Sequence, residues 1–168
     1  MSGRKITLDL AARSDAPALA LMSRDLIETG LGWTYRPDRM AGLIRNPDAT
    51  VLVARDGPRT AGFAVMAFGN ERARLVLLAV HPADRRRGIA QRMLDWLVES
   101  AATAGMASIH VELRAGNAAA YALYEGTGFA ETFRLAGYYR GRETAVRMLR
   151  MLRAPGIAAP AWQPPVGR

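Results

Sequence analysis

The residues best suited to chemistry fall in two blocks. The first is Val80-His81-Pro82-Ala83-Asp84-Arg85-Arg86-Arg87-Gly88-Ile89-Ala90-Gln91, and the second is Glu112-Leu113-Arg114-Ala115-Gly116-Asn117, followed by Tyr121 and Tyr124. The first block comes after the apolar run Leu75 to Val80 and opens a segment with helical apolar spacing, so a strand delivers a helix N-terminus rich in arginine and small residues. Such a terminus offers N–H groups with no partner inside the helix, together with the positive end of the helix dipole, and suits a phosphate or pyrophosphate. Gly88 and Ala90 let that ligand approach the backbone. Three arginines in a row are by themselves a solvated turn; the strand before them and the helix after them point to an anion site.

In the second block Ile109, Val111 and Leu113 alternate with His110, Glu112 and Arg114, the pattern of a strand with one polar face. A carboxylate there can take the proton of an amine directly or through one water. As a purely structural group, Glu112 would pair with Arg114 or stand solvated. Tyr124 lies on a helix that starts at Asn117. It is either a core aromatic beside Leu123 or an acid for a departing thiolate, since a phenol near pKa 10 keeps its proton at neutral pH and a thiol near 8.5 leaves more readily with one. Asn117 reads as an N-cap. His110 is a rival base by its ordinary pKa near 6.5, although a structural role suits both it and His81. Two separated histidines without cysteine make no metal site.

The same two blocks, taken slightly wider, carry a family resemblance. Leu77-Leu78-Ala79-Val80-His81-Pro82 followed by Arg85-x-x-Gly88-x-Ala90 resembles the acyl-coenzyme A motif of the GCN5-related N-acetyltransferases (GNAT). Glu112 to Glu125 with Gly128-Phe129 is similar to that family's later asparagine and tyrosine block, in a form most like the ribosomal-protein alanine N-acetyltransferases. Tyr138-Tyr139, Gly141-Arg142-Glu143 and Ala145 to Met148 continue the likeness, which runs from about Leu75 to Leu149 and is thin before that.

The resemblance implies an α/β (α+β) fold: a central mixed, mostly antiparallel sheet of about seven strands with one splayed parallel pair, and about four helices. It implies acetyl-CoA as co-substrate and no metal. The pantetheine arm would pair with backbone of Leu78, Ala79 and Val80 like an added strand. The pyrophosphate would sit on Arg85, Arg86, Arg87, Gly88, Ile89, Ala90 and Gln91, with Asn117 and Tyr124 also touching the cofactor. Glu112 would be the general base and Tyr124 the acid. The Val80 N–H would polarise the thioester carbonyl. Trp33, Tyr35, Tyr138 and Tyr139 would wall the acceptor, a protein N-terminal amine or else a small amine or aminoglycoside. A non-catalytic acyl-CoA sensor and a basic RNA-binding module are the competing classes, the latter predicting affinity that falls steeply with salt.

Composition sets the frame. The 168 residues are 50% apolar and 23% charged, which fits one soluble domain, residues 1–153, with a Pro/Gly-rich tail at 154–168. No apolar run approaches a membrane span, and the N-terminus lacks a signal-peptide core, so a cytoplasmic protein is expected, monomer or homodimer. With no cysteine, an acyl-cysteine intermediate is excluded and direct transfer between two bound substrates is the natural route. A net charge of +8 suits any polyanion and disfavours none, coenzyme A included.

The elements that must position these groups read as follows. A strand covers Lys5 to Leu10, and Ser14 caps a helix from Asp15 to about Thr29. A short helix runs from Pro37 to about Ile44. Strands follow at Thr50 to Arg55, Arg59 to Gly69 and Arg72 to Val80. A helix from Gly88 to Ala104 shows Ile89, Met93, Trp96, Leu97 and Ala101 on one face. A strand at Ala107 to Arg114, a helix at Asn117 to Glu125 and strands near Phe129 to Tyr139 and Glu143 to Leu152 finish the domain.

Overall fold

The computed structural model describes residues 4–153, so the tail at 154–168 lies outside the described residues. Seven strands form one sheet: β1 (Ile6–Leu10), β2 (Ala49–Asp56), β3 (Arg59–Phe68), β4 (Arg72–Val80), β5 (Ser108–Arg114), β6 (Ala130–Tyr139) and β7 (Glu143–Met151), in spatial order β1-β2-β3-β4-β5-β7-β6. All neighbours are antiparallel except β4 and β5. The four helices are α1 (Ala16–Leu26), α2 (Pro37–Arg45), α3 (Ile89–Thr103) and α4 (Ala118–Gly126). This is the mixed sheet and helix complement that the sequence implied.

Each face of the sheet has its own core. Under α3 and α4, Leu52, Met66, Leu75, Ile109, Val111 and Met148 pack with Met93, Leu94 and Leu97; under α1 and α2, Val53, Phe63, Val65 and Leu77 pack with Leu19 and Met40. α1 and α2 cover β2 to β4 only, which leaves that face of β5, β7 and β6 open. Every described residue of β6 except Glu131 and Tyr139 is exposed, as befits an edge strand.

Three local expectations are corrected. The N-cap of α1 is Asp15 rather than Ser14, which lies in a short 3₁₀ turn; the Asp15 carboxylate accepts the Ala12 N–H at 2.7 Å and pairs with Arg55 at 2.9 Å. That helix stops at Leu26, three residues early, because the buried Glu28 turns the chain by bonding back to Ser23. Trp96 is not on the buried face of α3 but 38% exposed, and Leu94 and Val98 take the core positions.

β4 pairs with β5 only from Arg72 to Leu75, opposite Ser108 to Val111. The β3–β4 register shifts at that point: Met66 faces Leu75 but Val65 faces Leu77, so Val76 is an extra residue. A bulge bends and twists its strand. β4 therefore departs from β5 while β5 stays paired to β7 along its length, and a gap opens beyond Leu75.

Candidate active site

The unpaired edge of β4 forms one wall of this gap. His81 donates its N–H across to Ala61 on β3 at 2.7 Å, so by the alternation of an antiparallel ladder Leu78 and Val80 direct their amides the other way, into the gap. A groove of about 1250 Å³ occupies the gap and continues over the open sheet face; its lining includes Leu78 to Val80, Arg85, Arg86, Ala90, Glu112, Asn117, Tyr124, Tyr35, Tyr138 and Tyr139.

At the far end of β4 the chain makes a single 3₁₀ turn, Pro82–Asp84, capped by the His81 imidazole, whose Nδ1 accepts the Ala83 N–H at 3.2 Å. Arg86 (φ 64°) and Gly88 (φ 70°) then adopt left-handed backbone, costly for arginine and natural for glycine. That path starts α3 beside the groove, which Ala90 lines. The side chains of Arg85 and Arg86 have no hydrogen-bond or ion-pair partner among the described residues, and both residues line the groove.

Arg87 points elsewhere. Its Nη1 donates to Asp84 Oδ1 at 2.9 Å and Asp56 Oδ2 at 3.0 Å, and Arg59 grips the same Asp84 through Nη1 at 2.5 Å and Nη2 at 2.6 Å. Asp84, 1% exposed, is thus a buried anion that ties the loop to β3; the Arg59 guanidinium, with Arg87, holds its carboxyl below the ordinary range. The sequence reading passed over it, although Asp within an arginine run is the available signal. The Gln91 side chain is also occupied, between Asp95 and Thr127. Ile89 is buried in the core, so only its amide can serve a ligand.

On the β5 wall, Glu112 Oε1 accepts the Tyr139 hydroxyl at 3.1 Å and Oε2 accepts Arg147 Nε at 3.1 Å. Its ion pair is therefore with Arg147, directly opposite on β7, and not with Arg114. Arg114 instead donates to the carbonyls of Ile27 at 3.2 Å and Thr29 at 2.7 Å, pairs with Glu143 at 3.2 Å and lies over the Tyr139 ring at 5.6 Å. It binds the segment after α1 to the β6–β7 hairpin. Burial, with the Glu112 charge beside it, raises the Tyr139 hydroxyl pKa.

Tyr124 lies opposite on α4, 5% exposed, with its ring 5.6 Å from Phe129. Burial raises its pKa, so the phenol holds its proton throughout the physiological range. Asn117 caps α4, its Oδ1 accepting the Ala120 N–H at 3.1 Å, and also lines the groove. His110 bonds Ser108 at 3.1 Å. Burial and the nearby Arg72 charge lower its pKa.

The four aromatics proposed for the acceptor wall divide. Tyr35, Tyr138 and Tyr139 line the groove. Trp33 does not: its Nε1 donates to Ala20 at 3.1 Å and its ring lies between Arg24 and Arg36, against the second core. The segment carrying Tyr35 is held by buried Glu28, which accepts the amides of Thr34 at 2.6 Å and Tyr35 at 3.2 Å.

The profile of the Acetyltransferase (GNAT) family matches residues 19–129, both gap walls and α4 included. The chain belongs to that family of acyl-CoA dependent acyltransferases. It is 39% identical over 93 residues to the ribosomal protein bS18-alanine N-acetyltransferase of Salmonella typhimurium, over 54% of this chain and 63% of that protein. The match thus spans just under two thirds of that relative's length. The solved ribosomal-protein-S18-alanine N-acetyltransferase from Escherichia coli shares the fold at a TM-score of 0.79 with 26% identity, covering 95% of this chain and 99% of the other. The yncA structure from Salmonella typhimurium, solved with its cofactor acetyl-CoA, has the same fold at a TM-score of 0.80 and 18% identity, over 94% and 99% of the two chains. Among the described residues no group of three or more His, Asp or Glu is placed to hold a metal ion, and no helix is long and apolar enough to cross a membrane.

Proposed function

We propose that this GNAT domain transfers the acetyl group of acetyl-CoA to an amine by direct attack while both substrates are bound. The observation that carries this reading is the gap itself: an unpaired β4 edge, an amide-rich helix start at one end, and Glu112 and Tyr124 on its two sides. The pantetheine arm lies in the gap as a surrogate strand, and its pyrophosphate meets the amides of Gly88 to Gln91 with Arg85 and Arg86 alongside. Arg87 acts through Asp84 and holds the loop's shape.

Glu112 accepts one proton of the acceptor ammonium and passes it to solvent, the free amine attacks the thioester carbon, the C–S bond breaks as Tyr124 protonates the departing thiolate, and the second proton, shed by the nitrogen as it becomes an amide, restores the Tyr124 phenol by way of solvent. For the oxyanion donor we propose the Leu78 amide, with Val80 the candidate from the sequence. β4 and β5 pair as far as Leu75 and Val111; from there Leu78 lies three residues along β4 and Val80 five, roughly 10 and 17 Å at about 3.3 Å per residue, against one residue for Glu112 on β5. The shorter separation favours Leu78 for the thioester carbonyl and leaves the Val80 amide for the pantetheine arm.

A protein N-terminal amine is the acceptor we favour, supported by the likeness to the bS18-alanine acetyltransferases and by an acceptor wall of Tyr35, Tyr138 and Tyr139; a ribosomal acceptor would place the reaction in the cytoplasm. The test is titration with acetyl-CoA followed by thiol release against N-terminal peptides, polyamines and aminoglycosides. Acceptor-dependent release that Glu112→Gln and Tyr124→Phe both cut supports the reading. Binding without release from any acceptor identifies a sensor, and no binding at all overturns the cofactor assignment.

A further inference from the structure

The groove does not end at Glu112. It runs on down the open sheet face past His110 to Arg74 and Arg72. Both arginines are exposed on β4, and neither guanidinium has a hydrogen-bond or ion-pair partner among the described residues. The acids that share the groove are already engaged: Glu28 by Ser23, Thr34 and Tyr35, and Glu112 by Tyr139 and Arg147. Glu71, next in sequence to Arg72, is paired with Arg153 at 3.2 Å. No acid stands within ion-pair distance of Arg72 or Arg74 among the described residues, so this end of the groove presents two exposed positive charges. Coenzyme A does not account for them, because eight strand residues, roughly 26 Å, separate Arg72 from Val80 and the phosphate loop.

Distance along the strands gives the charge a meaning. Arg74 is level with His110, two residues below Glu112, and Arg72 is level with Ser108, four below. At about 3.3 Å per residue these are roughly 7 and 13 Å from the base. An extended chain whose terminal amine meets Glu112 has the same rise, so its side chains about three to five residues in reach these arginines. Leu26, Ile27 and Val76 supply an apolar flank for its backbone.

We propose that Arg72 and Arg74 are specificity-determining residues that select acceptors with acidic side chains about three to five residues after the reactive N-terminus. The inference rests on the N-terminal acceptor reading above and extends it. The field of Arg72 on His110, already noted, shows that its charge is felt on the groove floor.

The test uses the full chain with coenzyme A present and two fluorescent heptapeptides that begin Ala-Ser and carry either three Glu or three Lys at the third to fifth positions. Fluorescence anisotropy is expected to give about tenfold tighter binding of the acidic peptide, with the difference shrinking at high salt. Arg72→Glu with Arg74→Glu is expected to reverse the order and leave acetyl-CoA affinity unchanged. Should that pair fail to fold, Arg74→Gln alone is expected to remove about threefold of the preference. Equal binding, a preference for the basic peptide, an order unmoved by the charge reversal, or no peptide binding each overturns the proposal. Selective binding without thiol release from acetyl-CoA leaves the channel standing and overturns the N-terminal transferase reading. Thiol release indifferent to peptide charge does the reverse.

Discussion

Glu112 is held from two sides, by the Tyr139 hydroxyl and by Arg147, so its carboxylate is oriented before any acceptor arrives. Glu112→Gln keeps the shape and removes the proposed base; kcat is expected to fall by about 10²- to 10⁴-fold with acetyl-CoA affinity unchanged, measured by thiol release and titration calorimetry. Tyr124→Phe keeps the buried ring against Phe129 and removes only the hydroxyl proposed as the acid. It is expected to lower kcat by about 10²-fold with little change in melting temperature. Strand alternation put Glu112 on a polar face, whereas Tyr124 was singled out only by the family resemblance, since its position on a helix also suits a core aromatic. The partner of Glu112 was not legible in the sequence: Arg147 lies 35 positions away, and only the β5–β7 register brings it opposite.

The element that shapes the gap is β4, and two supports hold it. Gly62 on β3 faces Val80, and a Cβ there would stand 2.8 Å from the Ala79 carbonyl oxygen and 3.2 Å from Met93 Cε. Backbone cannot swing aside as a side-chain tip can, so Gly62→Ala must push β4 toward the gap. A drop of several degrees in melting temperature and weaker acetyl-CoA binding are expected, read by scanning fluorimetry and calorimetry. The second support is Asp84, which anchors Arg59 and Arg87 beneath the phosphate loop. Asp84→Asn is expected to raise the KM for acetyl-CoA more than it lowers kcat, because it loosens the loop without touching Glu112 or Tyr124. The loop's composition pointed to an anion site, but which arginines line the groove depended on a buried carboxylate tethered to another strand.

Across the whole molecule, His110 and the basic charge set the response to solution conditions. Folding lowers the His110 pKa below its ordinary 6.5, so between those two values the unfolded chain binds more protons than the folded one. The stability is present in full above about pH 6.5 and declines as pH falls below it. Melting temperature measured from pH 7 to pH 5 is expected to fall, and His110→Gln to flatten part of that slope. Asp84 acts in a lower window: its contribution is present above about pH 3.8 and is lost as pH falls further.

The amino-acid order by itself determined the strand and helix sequence, the family and most of the residues around the gap, because these depend on local spacing: alternation of period two, apolar stripes of a helix, and amides left open where a helix begins. Only the tertiary structure decided the rest. The splay arises from an extra residue at Val76 that is visible only against β3. Glu28 and Asp84 look like ordinary surface acids until the fold buries them, Glu28 against the amides of Thr34 and Tyr35 and Asp84 against Arg59 from another strand. Trp33 and Arg87 carry the right chemistry but are turned to structural partners. Pairings such as Glu112 with Arg147 and Asp84 with Arg59 join residues tens of positions apart, and no local pattern in the chain encodes them.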